Sequence, residues 1–341
     1  MDLWATRFSS QLLGTQRADD APGVCTHLLA VQAQDLRSAR LAIRARTSGS
    51  TAAAVDGALA QGELVVSWLN RGTLQLVASE DYWWLHALTT PTLFAANARR
   101  LGQTGVTPVA AERGVAAIEA ALEQDGPSTR DQLREHVRSA GVESAGQALV
   151  HVLMLACLRG IAVRGPLVNG KHAYVLAADW IGRPRPAARD GALVELARRY
   201  LRGHAPADDR DLAKWAGLPL RDARAGLQAI AGELVDLGDG QLSLKEKADA
   251  TPPRACLLDQ WDPILVGWRS RAVLLEHYPR RDQPEAHFHK FAYVGARVVA
   301  TWSDRQKAVT VSAPFVPLRP ESASALDDDA ADVARFLATA A

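Results

Sequence analysis

Apolar residues recur three and four positions apart through most of the first 250 residues, and three times such a stretch gives way to two short β-branched runs joined by a tight turn. The first instance predicts helices over about 4–14, 21–31 and 52–61, then strands Leu64–Leu69 and Thr73–Ala78 joined through Asn70-Arg71-Gly72. Asn and Gly tolerate the positive φ of such a turn. The second predicts a helix at 111–123, a helix from Arg130 to Ser139 capped by Ser128 or Thr129, a longer helix at about 145–159, and strands Ile161–Arg164 and His172–Leu176. The third predicts helices at 190–202, Arg210–Ala216 and 220–231, then strands Glu233–Leu237 and Gln241–Leu244 around Gly238-Asp239-Gly240. Pro127 and Pro206 occupy the same place in the second and third instances, 79 residues apart, a weak internal repeat.

Helices followed by a β-hairpin are the grammar of a winged helix-turn-helix; three unrelated helical hairpins are the alternative. After Thr251-Pro252-Pro253 the texture changes. Short alternating runs at Ala255–Leu258, Arg271–Glu276, Phe291–Val294, Val298–Trp302 and Val309–Ser312 predict a small antiparallel β unit, closed by a helix at about 327–339. The expected class is α+β, with three tandem winged helix-turn-helix units over 1–100, 101–185 and 186–250 and the β unit with its C-terminal helix over 251–341.

Composition narrows the function classes. With 341 residues, 48% apolar and 23% charged, the chain can bury a sizeable core and is not compositionally disordered. The longest apolar runs, such as Leu149–Leu158, fall short of the ~20 residues that span a bilayer. Met1-Asp2-Leu3-Trp4 lacks the basic start and apolar core of a signal peptide, so a cytoplasmic location is expected. Cys25, Cys157 and Cys256 form no C-x-x-C pair, which points to reduced thiols. The net charge of +1 conceals a tail, Glu321–Ala341, at −4, which leaves +5 on residues 1–320. That is too little to establish a nucleic-acid partner, which must rest on local patches. Arginine outnumbers lysine 33 to 6, a bias that suits phosphate contacts and a GC-rich genome alike.

Dinucleotide, P-loop, zincin and nucleophile-elbow motifs are absent. His287-Phe288-His289 has a spacing that a metal could use, but no third ligand is evident nearby, so neither cofactor nor metal is expected. The unusual string is Val31-Gln32-Ala33-Gln34-Asp35. Glutamines two apart diverge on a helix and share a side of an extended segment. If the preceding helix ends near Val31, both amides can aim at one point; an ordinary helix C-terminus is the alternative. Two carboxamides can hold a water but are not strong bases, so they suit a reaction whose leaving group is already activated. Arg37, Arg40 and Arg44 then follow at i, i+3, i+7, which makes them candidate phosphate ligands or one solvated helix face. Arg71 at the hairpin tip and Arg130 at a helix start are further candidates, or simply exposed turn residues. Of the nine tryptophans, Trp261, Trp268 and Trp302 lie in the β unit, where an aromatic could stack on a base or fill the core.

Val31-Gln32-Ala33-Gln34-Asp35, Ser67–Val77, Pro127-Ser128-Thr129-Arg130, Trp261–Gly267 and Arg297–Trp302, in that order, resemble the AlkZ-type winged-helix DNA glycosylases over about residues 4–320. The resemblance implies a monofunctional glycosylase that hydrolyses the N-glycosidic bond of N7-alkylated purines and unhooks interstrand crosslinks. It places the catalytic Gln-x-Gln on Gln32 and Gln34, with phosphates flanking the lesion against Arg37, Arg40 and Arg44; Arg71, Thr73 and Arg130 complete the expected DNA contacts. Gln75 departs from the pattern, since many members have histidine there. The partner implied is double-stranded DNA with alkylated or crosslinked purines. Separately, the mixed surface suggests a monomer and the short apolar runs no membrane association. Housekeeping repair and self-resistance to a toxin both fit. The alternative function is a non-enzymatic winged-helix DNA-binding protein, a regulator or damage sensor.

Overall fold

The computed structural model describes residues 2–184, 188–246, 252–282, 288–304 and 308–339. It shows a mixed α/β architecture with antiparallel sheets, divided into two compact units. One unit comprises residues 1–55, 193–215 and 219–341; the other comprises 56–192 with 216–218.

The second unit is built around two hairpins, Leu64–Leu69 with Thr73–Ala78 and Ala162–Val168 with Lys171–Leu176. They join edge to edge where Val66 pairs with Arg164. The short strand Ser128–Thr129 extends the outer side, with Ser128 opposite Tyr174 and Thr129 opposite Ala173. Strand Leu64–Leu69 is buried along its whole length, as a Leu-Val-Val-Ser-Trp-Leu run covered on both faces should be. Helices Pro108–Asp125, Arg130–Ser139 and Ala148–Leu158 lie in the same unit. Gly114 sits where a Cβ would come within 2.8 Å of Val152, so glycine is what permits the first and third of these to approach so closely.

The first unit holds helices Leu3–Ser10, Ala21–Leu28 and Leu36–Arg46, most of the helices Arg189–His204 and Asp209–Ala216, the helix Leu220–Ala229, and the short hairpin Leu234–Asp236 with Leu242–Leu244. Its larger sheet has the order Thr310–Val311, Arg297–Ser303, Phe291–Val294, Cys256–Leu258. The helix Pro320–Ala338 closes over it, and Leu257, Val299, Trp302, Leu326, Val333 and Phe336 share one core with Leu41.

The structure departs from the sequence pattern at several places. Helix Ala21–Leu28 stops short of residue 31, because Leu29 takes φ +70. The positive φ at the first hairpin falls on Arg71 (+46) and Gly72 (+77), not on Asn70. Arg271–Glu276 is a series of turns: Leu274 and Leu275 are buried in succession, which an alternating strand would not allow. The closing helix begins at Pro320, where proline fits the first turn, and not near 327. The boundary drawn at residue 100 falls inside the helix Phe94–Gln103, and the two hairpins either side of it share one sheet, so the compact units do not follow the four consecutive segments. The boundaries at 185 and 250 lie outside the described residues.

Candidate functional site

Leu29 ends its helix abruptly, and the chain leaves extended through Val31–Gln32. Gln32 is only 5% exposed, and among the described residues no group hydrogen-bonds its carboxamide. Gln34 lies two residues on, at an exposed bend, and is engaged by a neighbouring group. Asp35 then caps the next helix: its Oδ2 accepts from the Ser38 backbone N–H at 3.2 Å and the Ser38 hydroxyl at 2.8 Å. The two glutamines thus lie on a non-helical segment held between a strained helix end and a capped helix start.

The arginine stripe has a different role from the one its spacing suggests. Arg44 is 2% exposed. Its guanidinium donates to Asp329 Oδ1 and Asp332 Oδ2, both at 3.0 Å, and to the Leu257 carbonyl at 2.9 Å. Burial opposes its charge, but Asp329 and then Asp332 outweigh it and hold its pKa above the ordinary arginine value. Arg46 is fully buried and bidentate to Asp262, at 2.7 and 2.9 Å. Arg37 donates to Asp259 Oδ2 at 3.1 Å and pairs with Asp304. Arg40 is partly buried and also engaged. The helix face expected to meet phosphates or solvent therefore packs largely on the protein's own aspartates, and Arg44 is corrected from a surface ligand to a buried tie.

Asp259 is 2% exposed, and burial pushes its carboxyl above the usual range despite the nearby Lys290 ammonium and Arg37 guanidinium. Lys290 bonds Asp304 at 2.6 Å and lies 4.9 Å from the Trp302 ring centroid. Trp302 and Trp268 are core residues whose indole N–H groups donate to the Leu258 and His204 carbonyls. Trp261 is the partly exposed member of the three.

The remaining predicted residues belong to the second unit. Arg71 sits at the hairpin tip, and Gly217 allows the backbone there to approach closely: a Cβ on it would meet the Arg71 nitrogen at 2.6 Å. Thr73 Oγ1 accepts from Gln75 Nε2 at 2.6 Å, so the glutamine that departs from the family pattern is held in a local side-chain bond. Arg130 is exposed at the start of its helix, behind a Thr129–Gln132 capping box, and donates to the Gly146 carbonyl at 3.2 Å. A groove of about 570 Å³ runs beside the hairpin tip, lined by Arg71, Arg99, Arg100, His151 and Met154 among others. Sequence reasoning missed Arg99 and Arg100; their signal was two adjacent arginines on the polar face of an amphipathic helix.

Among the described residues no group of three His, Cys, Asp or Glu side chains could hold a metal, and His287 lies outside them. No helix of the described residues is long and apolar enough to cross a membrane. Cys25, Cys157 and Cys256 are buried and free, and burial pushes the Cys157 and Cys256 thiols up to about 12.

The chain is similar to an interstrand DNA cross-link repair glycosylase of Streptomyces sahachiroi, 27% identical over 363 aligned positions that cover 98% of this chain and 95% of the relative. Its fold matches the solved structure of Streptomyces sahachiroi DNA glycosylase AlkZ with a TM-score of 0.79 at 24% identity, covering 99% of this chain and 96% of that one. The family described as DNA glycosylase AlkZ-like matches residues 25–336. The chain belongs to the DNA glycosylase AlkZ-like family.

Proposed function

We propose that this glycosylase hydrolyses the N-glycosidic bond of N7-alkylated purines in double-stranded DNA, crosslinked purines included, with a water held by Gln32 and Gln34. The observation that carries the reading is Gln32: a carboxamide on a residue 5% exposed, with no partner among the described residues. An amide that meets no protein group at a nearly buried position is left available to a water or to the substrate. An N7-alkylated purine is cationic, so its glycosidic bond is primed to break without protonation. The amide oxygens then orient a water and favour the developing positive charge at the anomeric carbon. No lysine nucleophile is required, and the product is an abasic site.

In this reading each set of helices and its hairpin is a winged helix, and Arg71, Thr73, Arg130 and the Arg99–Arg100 groove meet the DNA backbone. The similarity to a cross-link repair glycosylase supports including crosslinks among the substrates.

The test is release of N7-methylguanine from a duplex under single-turnover conditions. The unaltered chain is expected to leave abasic sites. A Gln32→Ala, Gln34→Ala double variant that melts at the same temperature is expected to lose at least about 100-fold in rate, the scale for removing preorganised polar groups. Equal rates would remove the mechanism, and no cleavage by the unaltered chain would favour a protein that only binds DNA.

A further inference from the structure

The turn that carries Trp261 is held in an unusual way. Trp261 takes φ +64, a conformation that bulky side chains rarely adopt and that a fold retains where its surroundings enforce it. The enforcement is visible on both sides. Two residues before it, Asp259 accepts at 3.1 Å from Arg37, which lies in the first turn of the helix that follows Gln34. One residue after it, Asp262 accepts from both arms of Arg46, the last residue of that same helix, and also from the Ile264 backbone N–H at 3.0 Å. The backbone of this turn is thereby tied on both sides of Trp261 to the helix that follows the Gln-x-Gln segment. It is partly exposed and meets Phe288 edge-on, with ring centroids 4.4 Å apart, and Phe288 is itself 44% exposed. The charged groups gathered about Asp259, two residues before Trp261, are unbalanced, with Asp35, Asp259 and Asp304 against Arg37 and Lys290.

From this arrangement we propose that Trp261, backed by Phe288, is the face on which the cationic alkylpurine base stacks. An electron-rich indole beside an acidic cluster attracts a cationic ring more than a neutral one of the same shape. The strained backbone then has a purpose, to hold that face in one orientation on a turn tied to the helix that follows Gln34. The proposal rests on the glycosylase reading above, and adds how a charged base is told from an ordinary one.

The test uses the full chain and two duplexes. One carries N7-methylguanine on a 2′-fluoro sugar that resists cleavage; the other carries the neutral 7-methyl-7-deazaguanine. Trp261→Leu, which keeps an apolar side chain and removes the π face, is expected to weaken binding of the cationic duplex about tenfold and of the neutral one less than about twofold. Trp261→Phe is expected to restore selectivity. No change with Trp261→Leu, or equal losses on both duplexes, overturns the proposal. Should Trp261→Leu fail to fold, Phe288→Ala reads the same selectivity. A reduced preference for the cationic duplex in that variant supports the proposal, and an unchanged preference overturns it. Failure of the glycosylase reading shows separately, in the rate of the Gln32→Ala, Gln34→Ala variant.

Discussion

The helix Leu36–Arg46 and the groove beside the hairpin tip are both rich in arginine, yet they treat the charge in opposite ways. Arg44 and Arg46 are buried and answered by Asp329, Asp332 and Asp262. Arg99 and Arg100 are exposed on a groove wall. A guanidinium removed from water must be paired to persist, and once paired it has little left for an outside phosphate. An exposed one keeps its charge available for counterion release on DNA. Arginine count alone therefore says nothing of DNA binding; the covering residues decide.

The largest effect expected from breaking this contrast is at Arg46. Arg46→Ala strands the buried Asp262 carboxylate and the Gln11 side chain that Arg46 also meets, and should cost about 3–5 kcal/mol in urea unfolding. Arg46→Met with Asp262→Leu should recover part of that, since an apolar pair of similar volume carries no desolvation cost while the Gln11 side chain and the Ile264 N–H still lose their partners. A loss under about 1 kcal/mol for Arg46→Ala would mean the pair is not the tie the geometry describes.

A smaller effect, of the opposite kind, is expected in the groove. Replacing Arg71, Arg99 and Arg100 together by serine should weaken duplex binding about 10- to 100-fold at moderate salt. The dependence of log K on log salt should flatten by roughly one unit for each phosphate left without its arginine. Stability should change little for the two exposed positions. An unchanged salt slope would place the DNA elsewhere.

This contrast also marks what was legible in the sequence. Local signals were read well: the strands Leu64–Leu69 and Thr73–Ala78, the cap at Thr129 and the helix Arg130–Ser139 all fall where spacing and turn residues put them. The extended setting of Gln32 was only one of two readings of its segment, the other being an ordinary helix end, and it is the positive φ at Leu29 that decides between them. The role of the arginine stripe was not legible, because periodicity names a face and not its cover. The partners Asp259, Asp262, Asp329 and Asp332 lie more than 200 residues downstream, where no spacing rule connects them to the helix. The Arg271–Glu276 strand failed for the same reason: whether Leu274 and Leu275 are both buried is decided by what packs on them.

Arg37 lies between the two regimes, which makes it the sharpest probe of the comparison and the smallest effect. Its side chain is 32% exposed, while that of its partner Asp259 is 1% exposed. Removing the guanidinium leaves Asp259 with Lys290 as its nearby cation and should push an already raised carboxyl pKa further up. A carboxyl whose folded pKa lies above its unfolded value favours folding most when protonated. That contribution is complete below the ordinary carboxylate value and is lost as pH rises through the folded pKa. Arg37→Ala should therefore destabilise the chain by about 1–2 kcal/mol at neutral pH and by less at mildly acidic pH, where Asp259 can take up a proton. Urea unfolding at the two pH values measures the difference. A variant equally stable at both, with a shallower salt dependence of duplex binding, would instead move Arg37 from the buried ties to the phosphate ligands.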